Sequence, residues 1–169
     1  GTTTVAAVAG TATFSTLTID KAGTGYTLAA TSSGLTGTTS GTFNITAGAA
    51  AKLAVITQPT NTVSATAISP AVTVQIQDAA GNLTTSTASV VMAIGTNPGS
   101  GTLSGTTTVA AVAGVATFST LQIDKAGTGY TLGATSGVLT AATSNTFNIT
   151  AGAAAKLAVI AQPTNTVSM

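Results

Sequence analysis

Glutamate, arginine, histidine, cysteine and tryptophan are absent from the 169 residues. Seven side chains carry charge: Lys21, Lys52, Lys125, Lys156, Asp20, Asp78 and Asp124. Without cysteine there is no disulfide framework, thiolate metal site or thiol nucleophile. Without histidine the usual general base and metal ligand are missing. Four lysines cannot neutralise a run of phosphates, which argues against nucleic acid as a partner. No apolar run approaches the roughly 20 residues of a membrane span. The longest, Ala47 to Ile56, is broken by Lys52, so no membrane insertion is expected. The chain does not open on a basic stretch followed by an apolar one, so a leader is expected to be absent or already removed.

What is present is above all threonine and alanine, with glycine and serine behind them. Apolar residues make up 44% and the net charge is +1. Disordered chains combine low hydrophobicity with high net charge, so this one is expected to fold.

The most informative feature is internal repetition. Residues 1–65 align without a gap on residues 105–169, at an offset of 104, and ten of the 65 positions differ. Among them are Thr11/Val115, Thr18/Gln122, Gly34/Val138, Gly41/Asn145 and Ala65/Met169. The candidate core pairs Phe14/Phe118, Leu17/Leu121, Tyr26/Tyr130 and Phe43/Phe147 are identical. This period is far above the roughly 20–50 residues of solenoids and fits small globular units, each with its own core. The run Thr46–Ala51, repeated at Thr150–Ala155, reads as a linker. The expected organisation is 1–48 as the C-terminal part of one repeat, 49–152 as a complete repeat and 153–169 as the start of the next. The chain is thus expected to be a window on a longer repetitive one. The piece missing from the partial units corresponds to Thr66–Ser104.

Within 49–152, short alternating segments separated by turn residues predict strands. Lys52–Gln58 ends at Pro59. Val72–Gln77 has strict period two, with Val72, Val74 and Ile76 on one face. Asp78-Ala-Ala-Gly-Asn82 reads as a tight turn capped by Asp78. Ser89–Ile94, Thr106–Ala113, Gly114–Ile123, Gly129–Ala134 and Thr146–Ile149 follow. The apolar phase slips near Ser119, which predicts a bulge. Threonine, valine and glycine disfavour helix interiors, and no 3.6-residue stripe persists. The predicted class is all-β: about seven short strands per 104-residue unit, arranged as a sandwich. Phe118, Tyr130 and Phe147 form its predicted aromatic core. Tyr130, just after Asp124-Lys-Ala-Gly-Thr-Gly129, either anchors a tyrosine corner or simply packs its ring.

The residues Val72–Asp78 with Gly81-Asn82, Gly114–Phe118, and Ala126–Tyr130 with Leu132 and Ala134 carry a resemblance. The unit resembles the bacterial Ig-like repeats of the invasin/intimin-like Big class found in giant surface proteins. The resemblance implies tandem Ig-like β-sandwiches acting as stalks, spacers or surface-layer and matrix components. The chain departs from that family in its very low charge, and it lacks the clustered carboxylates of calcium-stiffened adhesin repeats.

No catalytic, cofactor or metal residues are assigned. Ca²⁺ takes about 6–8 oxygen ligands, several of them carboxylates, and a lone Asp78 before Gly-Asn reads as a turn cap. Thr and Ser hydroxyls lack an activating base, so the chain is expected not to be an enzyme. A Lys52–Asn148 isopeptide, as in some pilin domains, would need both side chains buried beside an acid. Strand alternation puts both on the outer face. Asn44, Asn82 and Asn148 each begin an Asn-x-Thr sequon and are candidate N-glycosylation sites. The Thr/Ser surplus fits O-glycans or simply good strand residues.

The expected function is a non-enzymatic extracellular structural repeat protein forming a fibre, sheath, surface layer or matrix. Net charge near zero favours self-association with identical chains. The alternatives are the stalk of an adhesin and, further off, a carbohydrate- or ice-binding module. The expected location is the cell surface, extracellular space or biofilm matrix.

Overall fold

A computed structural model describes residues 1–165. These are all-β, with no helix among them. Four strands lie within residues 1–48: β1 (Gly23–Tyr26), β2 (Ala29–Ala30), β3 (Thr38–Thr39) and β4 (Phe43–Ile45). Next come β5 (Lys52–Thr57), β6 (Thr62–Val63), β7 (Val72–Gln77), β8 (Ser89–Ile94), β9 (Leu103–Ser104) and β10 (Thr108–Ala110). The last six are β11 (Val115–Phe118), β12 (Gln122–Ile123), β13 (Gly127–Tyr130), β14 (Leu132–Thr135), β15 (Ala142–Thr143) and β16 (Phe147–Thr150).

The strands from β5 onward build four sheets, in the orders β11-β7-β5, β10-β8-β14-β15, β13-β16-β6 and β12-β9. Among the described residues the strand ladders are antiparallel except β6 with β16, where Thr62 faces Ile149 in parallel register, and an isolated bridge from Lys52 to Thr140 is parallel too. The arrangement is consistent with a β-sandwich around one apolar core. Strand β7 shows how the sequence dictates it. Its valines and isoleucine alternate with polar residues, so Val72, Val74 and Ile76 are fully buried while Thr73, Gln75 and Gln77 are half-exposed. Strand β8 buries Val90 and Met92 in the same way. Phe118, Tyr130 and Phe147 are all buried, as predicted. The rings of Tyr130 and Phe147 sit 6.1 Å apart at 36°.

Three expectations change in detail, the first being that the strand expected over Gly129–Ala134 is divided between β13 and β14, which lie in different sheets. The phase slip near Ser119 is not a bulge. The chain leaves one sheet at Phe118, where β11 pairs with β7, and joins another at Gln122, where β12 pairs with β9. Changing sheets lets Phe118, Leu121 and Ile123 all point into one core. The bulge lies instead between Thr128 and Tyr130, opposite β16. There Gly129 takes φ +88°, a conformation that glycine adopts without a Cβ clash. Its N–H, displaced from the ladder, donates to Asn148 Oδ1 at 3.0 Å. The expected strand over residues 106–113 likewise contracts to β10, because its alanines offer little apolar surface to hold a longer one.

Every buried apolar side chain among the described residues lies between Leu53 and Ile149. Residues 23–45 repeat the local strand pattern of 127–149 without its burial, whereas residues 1–22 form no strand equivalent to β10, β11 or β12. Strands β1 and β4 pair as β13 and β16 do. Tyr26 and Phe43 stack at the same 6.1 Å, at 31°, and Gly25 N–H donates to Asn44 Oδ1 at 3.0 Å. Yet Phe14 is 41% exposed and Leu17 39%, against 1% and 0% for Phe118 and Leu121. No strand follows Thr150 among the described residues, and residues 151–165 are exposed, although 156–160 has the sequence that opens β5.

Candidate functional site

Strand β7 ends at Gln77, and the chain reverses through Asp78-Ala79-Ala80-Gly81-Asn82. Asp78 N–H donates to the Asn82 carbonyl at 2.9 Å, and Gly81 N–H to the Asp78 carbonyl at 3.1 Å. Gly81 has φ +89°, so this turn requires glycine there. The Lys52 ammonium donates to the Ala79 carbonyl at 3.1 Å. Asp78 and Asn82 are each only 5% exposed, which is unusual for a surface turn in so weakly polar a chain.

The Asp78 carboxylate spends both oxygens. Its Oδ1 accepts from Asn82 N–H at 2.8 Å. Its Oδ2 accepts from Gly48 N–H at 2.8 Å and from Asn82 Nδ2 at 2.9 Å. Hydrogen bonds to the charged form favour it. The Asn82 amide first, then the Gly48 and Asn82 backbone, hold this carboxyl at about 2. Asp78 thus acts as the turn cap the sequence predicted, and it also grips Gly48 in the linker run.

Asn82 reaches further back. Its Nδ2 donates to the Asp20 carbonyl at 2.7 Å, and its Oδ1 accepts from Ala22 N–H at 2.9 Å. One carboxamide therefore satisfies both a donor and an acceptor of a short backbone stretch, as a neighbouring strand would. Together the two side chains tie the turn after β7 to two points within residues 1–48. Ile19, Ile45 and Ala50 line the same junction. Sequence reasoning singled out Asp78 as a cap and Asn82 as a sequon. It missed the joint because the partners at Asp20, Ala22 and Gly48 are backbone groups, which leave no mark in side-chain identity.

The remaining candidates fall apart from one another. Among the described residues no three acidic groups come together where they could hold a metal ion. Asp124 instead accepts from Thr102 N–H at 2.6 Å. Lys52 and Asn148 are on different sheets. Lys52 is bonded to Ala79 and Asn148 to Gly129, so the structure does not pair them. Asn44 is exposed, Asn148 half-exposed and Asn82 buried, with the Asn82 amide nitrogen already committed twice. The Tyr130 hydroxyl donates to the Lys125 carbonyl at 2.9 Å, and Tyr26 repeats this on Lys21 at 3.0 Å. That bond to the backbone just upstream is the tyrosine-corner arrangement. Among the described residues no buried side-chain nitrogen or oxygen lacks a partner. These polar groups hold turns, a bulge and a joint.

No family model matches the chain, and no curated protein matches it in sequence.

Proposed function

We propose that the chain is part of a non-enzymatic extracellular structural protein, built from tandem Ig-like β-sandwich units with a 104-residue period. The observation that carries this reading is the contrast between two copies of one sequence. Residues 105–152 pack into one core with residues 53–104, whereas in residues 1–48 Phe14 is 41% and Leu17 39% exposed. A core of this kind draws on the full period, and in a chain of such units each copy would find its complement. The tyrosine-corner bond of Tyr130 and the parallel pairing of β6 with β16 support the Ig-like reading.

The mechanism is mechanical. Each unit is a rigid bead, and the linker of the 46–51 type sets the spacing. Identical chains pack side by side, since the net charge of +1 offers little repulsion. In the β10-β8-β14-β15 sheet the outermost strands have three and two residues, while β5, at the edge of the β11-β7-β5 sheet, has six. Edges as short as β10 and β15 are poor templates for strand pairing, so lateral packing through that sheet uses its face. Glycans on Asn44 and Asn148 fit an exported chain of this kind. A second reading, the stalk of an adhesin, is favoured by the hydrogen-bonded joint at Asn82, which would keep consecutive units in line.

Immunogold electron microscopy of the source cells, with antibody raised against residues 49–152, tests the proposal. Label on surface filaments, sheets or matrix is expected, and label confined to the cytoplasm would overturn it. A filament or sheet favours the lattice, and isolated threads ending in a separate head favour the stalk.

A further inference from the structure

The junction at Asn82 has a second half at the opposite end of the complete unit. The groups that receive the turn are the Asp20 carbonyl, the Ala22 N–H and the Gly48 N–H. Residues 124–126 and 152 are Asp, Lys, Ala and Gly, identical to residues 20–22 and 48. None of the ten differences between the copies falls on these positions, nor on the linker run that contains Gly48 and Gly152. The Tyr130 bond to Lys125 closes this corner as the Tyr26 bond to Lys21 does. Among the described residues, however, the Asp124 carbonyl and the Ala126 N–H have no hydrogen-bond partner.

We infer that Asp124–Ala126 with Gly152 is a docking surface for the Asp78–Asn82 turn of a following copy of the unit. The Asn82 carboxamide of that copy bridges the Asp124 carbonyl and the Ala126 N–H. Its Asp78 carboxylate takes the Gly152 N–H. This rests on the tandem reading above and adds to it that consecutive units are locked rather than loosely strung. A covalently following copy, not a second chain, is the occupant for two reasons. In a free second chain, Asn82 is already held by that chain's own Asp20 and Ala22. And a few hydrogen bonds give little affinity between separate molecules, whereas a short tether supplies an effective concentration of about millimolar.

The test uses the full chain extended beyond Met169 by a copy of residues 66–152, which completes a second unit. Amide hydrogen exchange is followed residue by residue. Without the extension the Ala22 N–H is expected to be protected, and Asn82→Ala to remove that protection. Ala126 N–H exchanges freely there and is expected to slow at least about tenfold on extension. Asn82→Ala in the appended copy should return it to the fast rate while the core amides of both units stay protected. If the appended copies of Val74 and Ile76 are unprotected, the second unit has not folded and the tandem reading falls with the lock. If they are protected and Ala126 still exchanges at its original rate, the lock alone is refuted. Slowing that survives Asn82→Ala would refute it as well.

Discussion

Tyr130 donates its hydroxyl proton to the carbonyl oxygen of Lys125, five residues upstream, while its ring is fully buried. The bond closes the corner that leads from β12 into β13 and delivers the ring to Phe147. Gly99 is the other side of that fit. A Cβ there would collide with the Tyr130 hydroxyl oxygen and with the Ala126 carbonyl oxygen. Tyr130→Phe keeps the ring and removes the bond, leaving the Lys125 carbonyl without its donor. Chemical denaturation should register a loss of about 1–2 kcal/mol with an unchanged m-value. An unaltered midpoint would mean that the ring packing alone holds this corner.

The two copies of one phenylalanine give a controlled comparison. Phe118→Ala opens a cavity in a closed core and should cost about 3–5 kcal/mol. Phe14→Ala changes the same residue in the same local sequence, but at a site 41% exposed. It should move the stability of the complete unit by less than about 0.5 kcal/mol. Equal costs would show that residues 1–48 are buried in solution.

Asp78 predicts an acid limb. Its carboxyl is held at about 2 in the folded chain, whereas an unfolded aspartate titrates near about 3.9. The folded state therefore binds the proton less readily. The stability this provides is fully present above about pH 4 and is lost as pH falls toward about 2. Unfolding midpoints should be level from neutral pH to about 5 and then drop. In Asp78→Asn the drop should shrink. Asparagine also caps such turns, but here Oδ2 accepts from both Gly48 and Asn82. An amide presents a donor at one of its two positions, so Asp78→Asn should lower the midpoint at neutral pH as well.

Glycan mapping by mass spectrometry, after expression in a glycosylating host, separates the sequons at Asn44 and Asn82. Asn44 is exposed, and its Oδ1 alone is committed, to Gly25. Asn82 would have to surrender its bonds to Asp20 and Asp78. Occupancy is expected at Asn44 and absent at Asn82. Stoichiometric modification of Asn82 would contradict the geometry of the turn.

Elements that depend on near neighbours were legible in the residues alone. Alternation made β7 readable because a side-chain period of two commits every second residue to one face. The Asp78 turn was readable because its capping carboxylate and Gly81 are both local. The pairing of β1 with β4 shows how far such information goes: it forms with the ring spacing and bulge bond of its buried counterpart, yet without a core. Burial was settled by long-range packing. Phe14 and Phe118 sit in the identical runs 12–17 and 116–121, and only Phe118 has Val72 opposite it. The apparent bulge at Ser119 was a change of sheet for the same kind of reason, since a phase slip in one strand does not say which neighbour the next residues will find. The role of Asn82 was the least legible. Its partners are a carbonyl and an N–H some sixty positions away. Almost every residue carries those groups, so the fold alone could say which ones it would meet.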